Sequence, residues 1–94
     1  MLGEKLKELR EAKGFVQRQV ASALDVDTAY ISKMENNDKP LSRENLTKLS
    51  KLYGINDSVI LPYWLAEKIK NVVNNELFAT DALKMVLNEI ESKK

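Results

Sequence analysis

Apolar residues recur at helical intervals almost from end to end of this 94-residue chain. Leu2, Leu6 and Leu9 stand at i, i+4 and i+7, and Ala12 extends the stripe; they predict a helix from about Gly3 to Lys13. Gly14 suits the left-handed position that closes such a helix, with Phe15 placed to fold back on Leu9. Val20, Ala21 and Leu24 predict a second helix over about 17–24. Ile31 and Met34 predict a third, beginning after Asp27, a good N-cap residue. Asn36 to Pro40 is a turn-rich loop. Ser42 is placed to cap a fourth helix whose buried stripe is Leu46, Leu49, Leu52 and Tyr53. Leu41 and Leu46 are set for a hydrophobic staple, and Gly54 ends the element. A fifth helix is capped by Asn56 or Asp57 and reaches about Val73, with Pro62 expected to kink or split it near Leu61. Asn74-Asn75 breaks the pattern. A sixth, from about Ala79 to Glu91, lines up Ala79, Ala82, Leu83, Val86 and Ile90. Lys93 and Lys94 are expected to fray.

β-branched runs are short, and Pro and Gly are scarce. The prediction is an all-α protein: a compact bundle of roughly four to five short helices with a helix-turn-helix, followed by a C-terminal helical extension. Residues 1–56 form the first unit. Residues 57–94 form the extension, expected to pack on the same core.

The segment Gly14–Pro40 carries the most information. Two short periodic stretches flank a tight turn at Leu24-Asp25-Val26. In the second stretch Ile31 and Met34 face inward, while Thr28, Ala29, Ser32 and Lys33 lie on the opposite side. Small side chains let a helix backbone approach base edges. Lys33 can donate to guanine O6 or N7, the Thr28 and Ser32 hydroxyls can donate or accept, and Ala29 and the Thr28 methyl can pack on a thymine methyl. The plainer reading is an amphipathic surface helix with a solvated outer face. The short turn between two short helices favours helix-turn-helix.

Composition narrows the function classes. Apolar residues make up 44% and charged residues 31%, an ordinary balance for a globular domain. The net charge of +1 is far from that of a histone-like polycation, so nucleic-acid binding must come from local placement of charge. Residues 1–56 carry 10 Lys plus Arg against 8 Asp plus Glu, and residues 57–94 carry 5 against 6. The first unit is therefore the more basic side. The chain has no cysteine and no histidine. That excludes disulfides and thiolate or imidazole metal sites, and it removes the commonest catalytic base and the best nucleophile. No cofactor and no metal are expected. Glu4, Glu8 and Glu11 recur at the spacing of a solvated helix face, and no Gly-rich phosphate loop or nucleophile motif is present. An enzyme is not expected. With no secretory n-region and no apolar run of about 18 residues, the expected location is cytoplasmic, with no membrane partner.

The arrangement of Gly14, Gln17, Val20-Ala21, Leu24, Val26, Ile31-Ser32-Lys33, Glu35, Pro40, Leu46, Leu49 and Leu52 resembles the lambda-repressor-like helix-turn-helix family, the Cro/repressor or xenobiotic-response-element type. The likeness covers Leu2 to about Ile55 and includes small controllers that accompany restriction-modification genes. It implies that helix 3 is the recognition helix. Thr28, Ala29, Ser32 and Lys33 would face bases. Gln17 would bind a phosphate, and Tyr30, Asn36, Lys39 and Arg43 are candidates for flanking phosphate contacts. Arg10 and Glu35 stand where family members often pair, which would tie helix 1 to the end of helix 3. Otherwise they are two unrelated surface charges. Three positions depart from the pattern. Val16 replaces a Ser or Thr cap, a loss of about 1 kcal/mol. Asp25 replaces a turn glycine, and Asp27 places a negative charge near DNA. Asn37, like Asp25, tolerates the left-handed region.

Val59, Ile60, Leu61, Tyr63, Trp64 and Leu65 are apolar almost all round the helix. One face can pack on the bundle and the rest asks for a partner. Helices 5 and 6 are expected to build a homodimer interface through Val59 and Ile60, with Trp64 as a possible anchor. The alternative is that helix 6 folds back over helix 5 within one chain. The resulting expectation is a repressor or activator that binds an inverted-repeat operator on double-stranded DNA as a homodimer, with an RNA polymerase contact if it activates. The other class is a protein-interaction module, such as a DNA-binding antitoxin whose C-terminal helices grip a toxin.

Overall fold

The computed structural model describes residues 1–93, so the fraying expected of Lys94 lies outside the described residues. Six helices follow one another: α1 (Leu2–Ala12), α2 (Gln17–Leu24), α3 (Thr28–Glu35), α4 (Arg43–Leu52), α5 (Asp57–Val73) and α6 (Ala79–Ser92). No strand occurs among the described residues. The fold class read from periodicity is the one observed, with boundaries within a residue or two.

The first four helices stop in one way. Gly14, Asp25, Asn37 and Gly54 all have positive φ, at 73°, 57°, 63° and 66°. The next residue in each case donates its N–H five residues back: Phe15 to Arg10 O, Val26 to Ala21 O, Asp38 to Lys33 O and Ile55 to Ser50 O. This wide closure satisfies the last carbonyls and needs one left-handed residue per helix. Glycine supplies it twice, and Asp25 and Asn37 supply it elsewhere with the side chains that tolerate it best.

Helix starts are less uniform. Ser42 and Asn56 accept side-chain hydrogen bonds from the amides of Asn45 and Ser58. Asp27 occupies the N-cap position of α3 with extended dihedrals, but its carboxylate makes no capping bond, contrary to expectation. Val16 cannot cap α2, yet Gln19 reaches back to accept from the Val16 amide at 2.9 Å. That supplies the reciprocal half of a capping box.

The core comprises Leu2, Leu6, Val20, Ala21, Leu24, Ile31, Met34, Leu41, Leu46, Leu49, Tyr53 and Ile60. Every one of the first five helices contributes to it. α1 lies so close to the end of α3 that a Cβ on Gly3 would come within 2.2 Å of the Glu35 carbonyl oxygen. The Gly3 amide donates to Asn37 Oδ1 at 2.9 Å across the same gap.

Two expectations for the C-terminal part are corrected. α5 is not split at Pro62, which lies inside one continuous element. Proline removes only the bond to the Ser58 carbonyl, while Ile60, Leu61 and Trp64 pack around that point on the core and the helix continues through it. α6 does not pack on the core: it contains no buried residue. The extension is thus two unlike pieces, the docked first half of α5 and an α6 that lies off the bundle. No described helix is long and apolar enough to cross a membrane.

Candidate nucleic-acid interface

α2 and α3 meet across the Asp25 turn, with Val20, Ala21, Leu24, Ile31 and Met34 buried between them and the bundle. The outer side of α3 is left open. Thr28, Ala29 and Lys33 are exposed and Ser32 is half-buried. The structure therefore places all four expected base-facing residues on one outward surface of a helix whose inner side is locked.

Behind this surface lies the most buried charge pair among the described residues. Arg10 Nε donates to Glu35 Oε2 at 2.7 Å and Nη2 donates to Oε1 at 3.1 Å, a two-pronged contact. Arg10 Nη1 also donates to the Phe15 carbonyl at 2.9 Å. The guanidinium thus joins α1 to the end of α3 and to the segment entering α2. The Glu35 hydrogen bonds hold the Arg10 pKa above the ordinary arginine value. Both groups are enclosed, so deleting either strands the other in a poor solvent for charge, at a typical cost of about 3–5 kcal/mol. The spacing of the two residues had left unrelated surface charges open; the observed contact is buried and bidentate.

Gln17 joins the same cluster, its Nε2 donating to Glu35 Oε1 at 3.1 Å. Its side chain is therefore fixed from the α3 side and half-buried, with one amide hydrogen committed. Sequence reasoning missed this contact, because it depends on how α2 crosses α3.

The other four expected phosphate residues are spread over the rim. The Tyr30 hydroxyl donates to the Pro40 carbonyl at 3.3 Å and accepts from Asn45 Nδ2 at 3.4 Å, linking α3, the following loop and α4. Lys39 and Arg43 are exposed, and the Arg43 guanidinium lies 5.5 Å from the centre of the Trp64 ring. Asn36 borders a shallow depression shared with Glu4, Glu8, Glu11 and Lys7. Those carboxylates oppose a phosphate, which makes Asn36 the weakest of the five on electrostatic grounds. Asn37 was expected only to tolerate a left-handed backbone. It also accepts from Gly3 and donates to Glu4, and so fixes the loop to α1.

The residues expected at a dimer surface do not lie together. Ile60 is 0% exposed, enclosed in its own chain's core, and has no surface to offer a partner. Trp64 is half-buried. Its indole donates to the Leu41 carbonyl at 2.6 Å and its ring carries Lys68 at 4.5 Å, so it clamps α5 to the loop before α4. Among the three, Val59 is exposed.

A short helix, a left-handed turn and a second helix with an open face of small and basic residues define a helix-turn-helix DNA-binding module. The chain belongs to the Cro/C1-type helix-turn-helix family, whose model matches residues 6–60. The match therefore runs from α1 into the docked first half of α5. Among curated proteins, the chain is similar to the control protein C.MunI of a Mycoplasma species, with 41% identity over 54 residues, 56% of this chain and 73% of that protein. It is also similar to the transcriptional regulator ImmR of Bacillus subtilis, with 32% identity over 60 residues, 64% of this chain and 47% of ImmR. The regulator PrpR of Mycobacterium tuberculosis is 32% identical over 53 residues, 56% of this chain and 11% of PrpR. The matched segment thus spans less than half the length of ImmR and about a tenth of PrpR. No solved structure matches the chain.

Proposed function

We propose that this protein is a sequence-specific transcriptional regulator that binds an inverted-repeat operator on double-stranded DNA as a homodimer. One observation carries the reading: the outer face of α3 presents Thr28, Ala29, Ser32 and Lys33 together while its inner face is locked by Ile31, Met34 and the Arg10–Glu35 pair. A helix held this firmly, with small residues outward, suits entry into the major groove. Gln17, Lys39 and Arg43 set the register on phosphates, with Tyr30 and Asn36 as further contacts. Relatives that are named as regulators, and one named as a control protein, support the class. The work done is binding, without cofactor or metal, and an RNA polymerase contact belongs to it if the protein activates.

The test is selection of bound sites from a random duplex library at physiological salt. The expected product is an inverted repeat with half-sites about one helical turn apart. Replacing Ser32 and Lys33 together by Ala should abolish that selection and leave the circular dichroism spectrum unchanged. Selection of the same sites by this double variant would remove α3 from the reading. The uncovered α6 also suits a partner-binding module such as an antitoxin. A library that yields no enriched sequence would shift weight to that reading.

A further inference from the structure

Two apolar stripes of this chain have no partner among the described residues. On the second half of α5, Leu65, Ile69 and Val72 recur at i, i+4 and i+7, and all three are exposed. On α6, Leu83, Val86, Leu87 and Ile90 recur at i, i+3, i+4 and i+7, all exposed as well. Leu77 and Phe78, in the link between the helices, are exposed at 87% and 70%. Together these side chains leave an apolar area on the order of the roughly 800 Å² that each partner of a stable complex buries. A monomer rarely exposes such a surface. A helix the length of α6 is also marginal in water without packing.

We infer that α6 is an exchanged arm: the α6 of one copy lies along the Leu65–Ile69–Val72 stripe of a second copy, and the second copy's α6 returns the contact. This rests on the homodimer proposed above and specifies how it is built. Charge selects this pairing. From Leu65 to Val73 the chain carries Lys68 and Lys70 against Glu67, a net of +1. From Ala79 to Ser92 it carries Asp81, Glu89 and Glu91 against Lys84, a net of −2. Glu67 accepts from the Leu2 amide at 3.4 Å, Lys68 lies over the Trp64 ring at 4.5 Å and Glu89 pairs with Lys93 at 3.3 Å, so the contrast is carried by Lys70 on α5 against Asp81 and Glu91 on α6. Laying α6 on α5 sets acidic against basic, whereas laying α6 on α6 sets acidic against acidic. The five residues Asn74–Phe78 between the two helices, with Asn75 at φ 65°, leave α6 off its own bundle. Reciprocal exchange about a two-fold axis covers both stripes at once and closes the assembly at two copies.

The absence of cysteine permits a direct test on the full chain without DNA. Chains carrying only Ile69→Cys are mixed with chains carrying only Val86→Cys, re-equilibrated and treated with a short bismaleimide. The expected main product joins residue 69 of one chain to residue 86 of another, at least about fivefold over the 86–86 product, because proximity raises effective concentration. Prevalence of the 86–86 product, absence of any inter-chain product, or closure within a single chain bearing both cysteines would overturn the exchange. Operator selection is read separately. A failed cross-link with retained selection refutes the arm alone, and a successful cross-link with no selection refutes the DNA reading alone.

Discussion

Tyr53 shows how much of this bundle's chemistry sits in single side chains. Its ring is fully enclosed beside Phe15, and its hydroxyl finds no hydrogen-bond partner among the described residues. Burial, with the nearby Glu35 charge adding to it, pushes the phenol up to about 12. A phenol whose folded value is raised favours the folded state fully below its ordinary value near 10 and loses that advantage as pH rises toward 12. Chemical unfolding between pH 9 and pH 12 should therefore show a loss of up to about 2 kcal/mol that Tyr53→Phe lacks. Near neutrality the same substitution removes an unsatisfied polar atom and should leave stability unchanged or raise it by up to about 1 kcal/mol. A clear loss at pH 7 would mean that the hydroxyl has a stabilising partner after all. The sequence announced Tyr53 as a core residue by its place beside Leu46 and Leu49. Its orphaned hydroxyl was not legible, because it depends on what α1 and α3 fail to present.

At the level of elements, the boundaries were legible wherever a local signal sets them. Gly14, Asp25, Asn37 and Gly54 end four helices by a bond pattern confined to six residues, so nearby sequence suffices to read it. What sequence could not give is how elements cross. The Gln17–Glu35 contact and the close passage of α1 over α3 at Gly3 both belong to that class. Gly3 lies in the first turn of an ordinary amphipathic helix, and nothing local marks it as the point of contact. Gly3→Ala should raise helix propensity yet destabilise the fold by about 1–3 kcal/mol, since the new methyl meets backbone rather than a movable side chain. A melting temperature equal to or above that of the parent would show that the two helices can separate without cost. Pro62 taught the reverse lesson: a strong local breaker does not split α5, whose residues Ile60, Leu61 and Trp64 pack on the core on both sides of it.

Taken whole, the molecule is nearly neutral, and that limits how it can hold DNA. Of the five residues proposed to meet phosphate, Lys39 and Arg43 are the cations, so a two-fold complex neutralises roughly four phosphates and log Kobs should fall with log salt at a slope near −4. A slope steeper than about −7 would bring in further cations, Arg18 at the exposed start of α2 first among them. The all-helical class was legible in the chain because periodicity is a property of each segment. The separation of α6 from the bundle was not, since an apolar stripe looks the same whether it meets its own core or another copy.

The way α3 is mounted bears on how such a protein changes over generations. Its hold on the bundle comes from Ile31 and Met34 within, Glu35 at its end and the left-handed residues that bound it. The side chains of Thr28, Ala29, Ser32 and Lys33 enter none of those contacts. Mutations at these four positions can therefore be sampled with little penalty in folding, and if they read bases as proposed, a lineage can drift to a new DNA target without first acquiring compensating changes. Selection on the genes it controls, and not on the fold, would then govern how fast that face diverges.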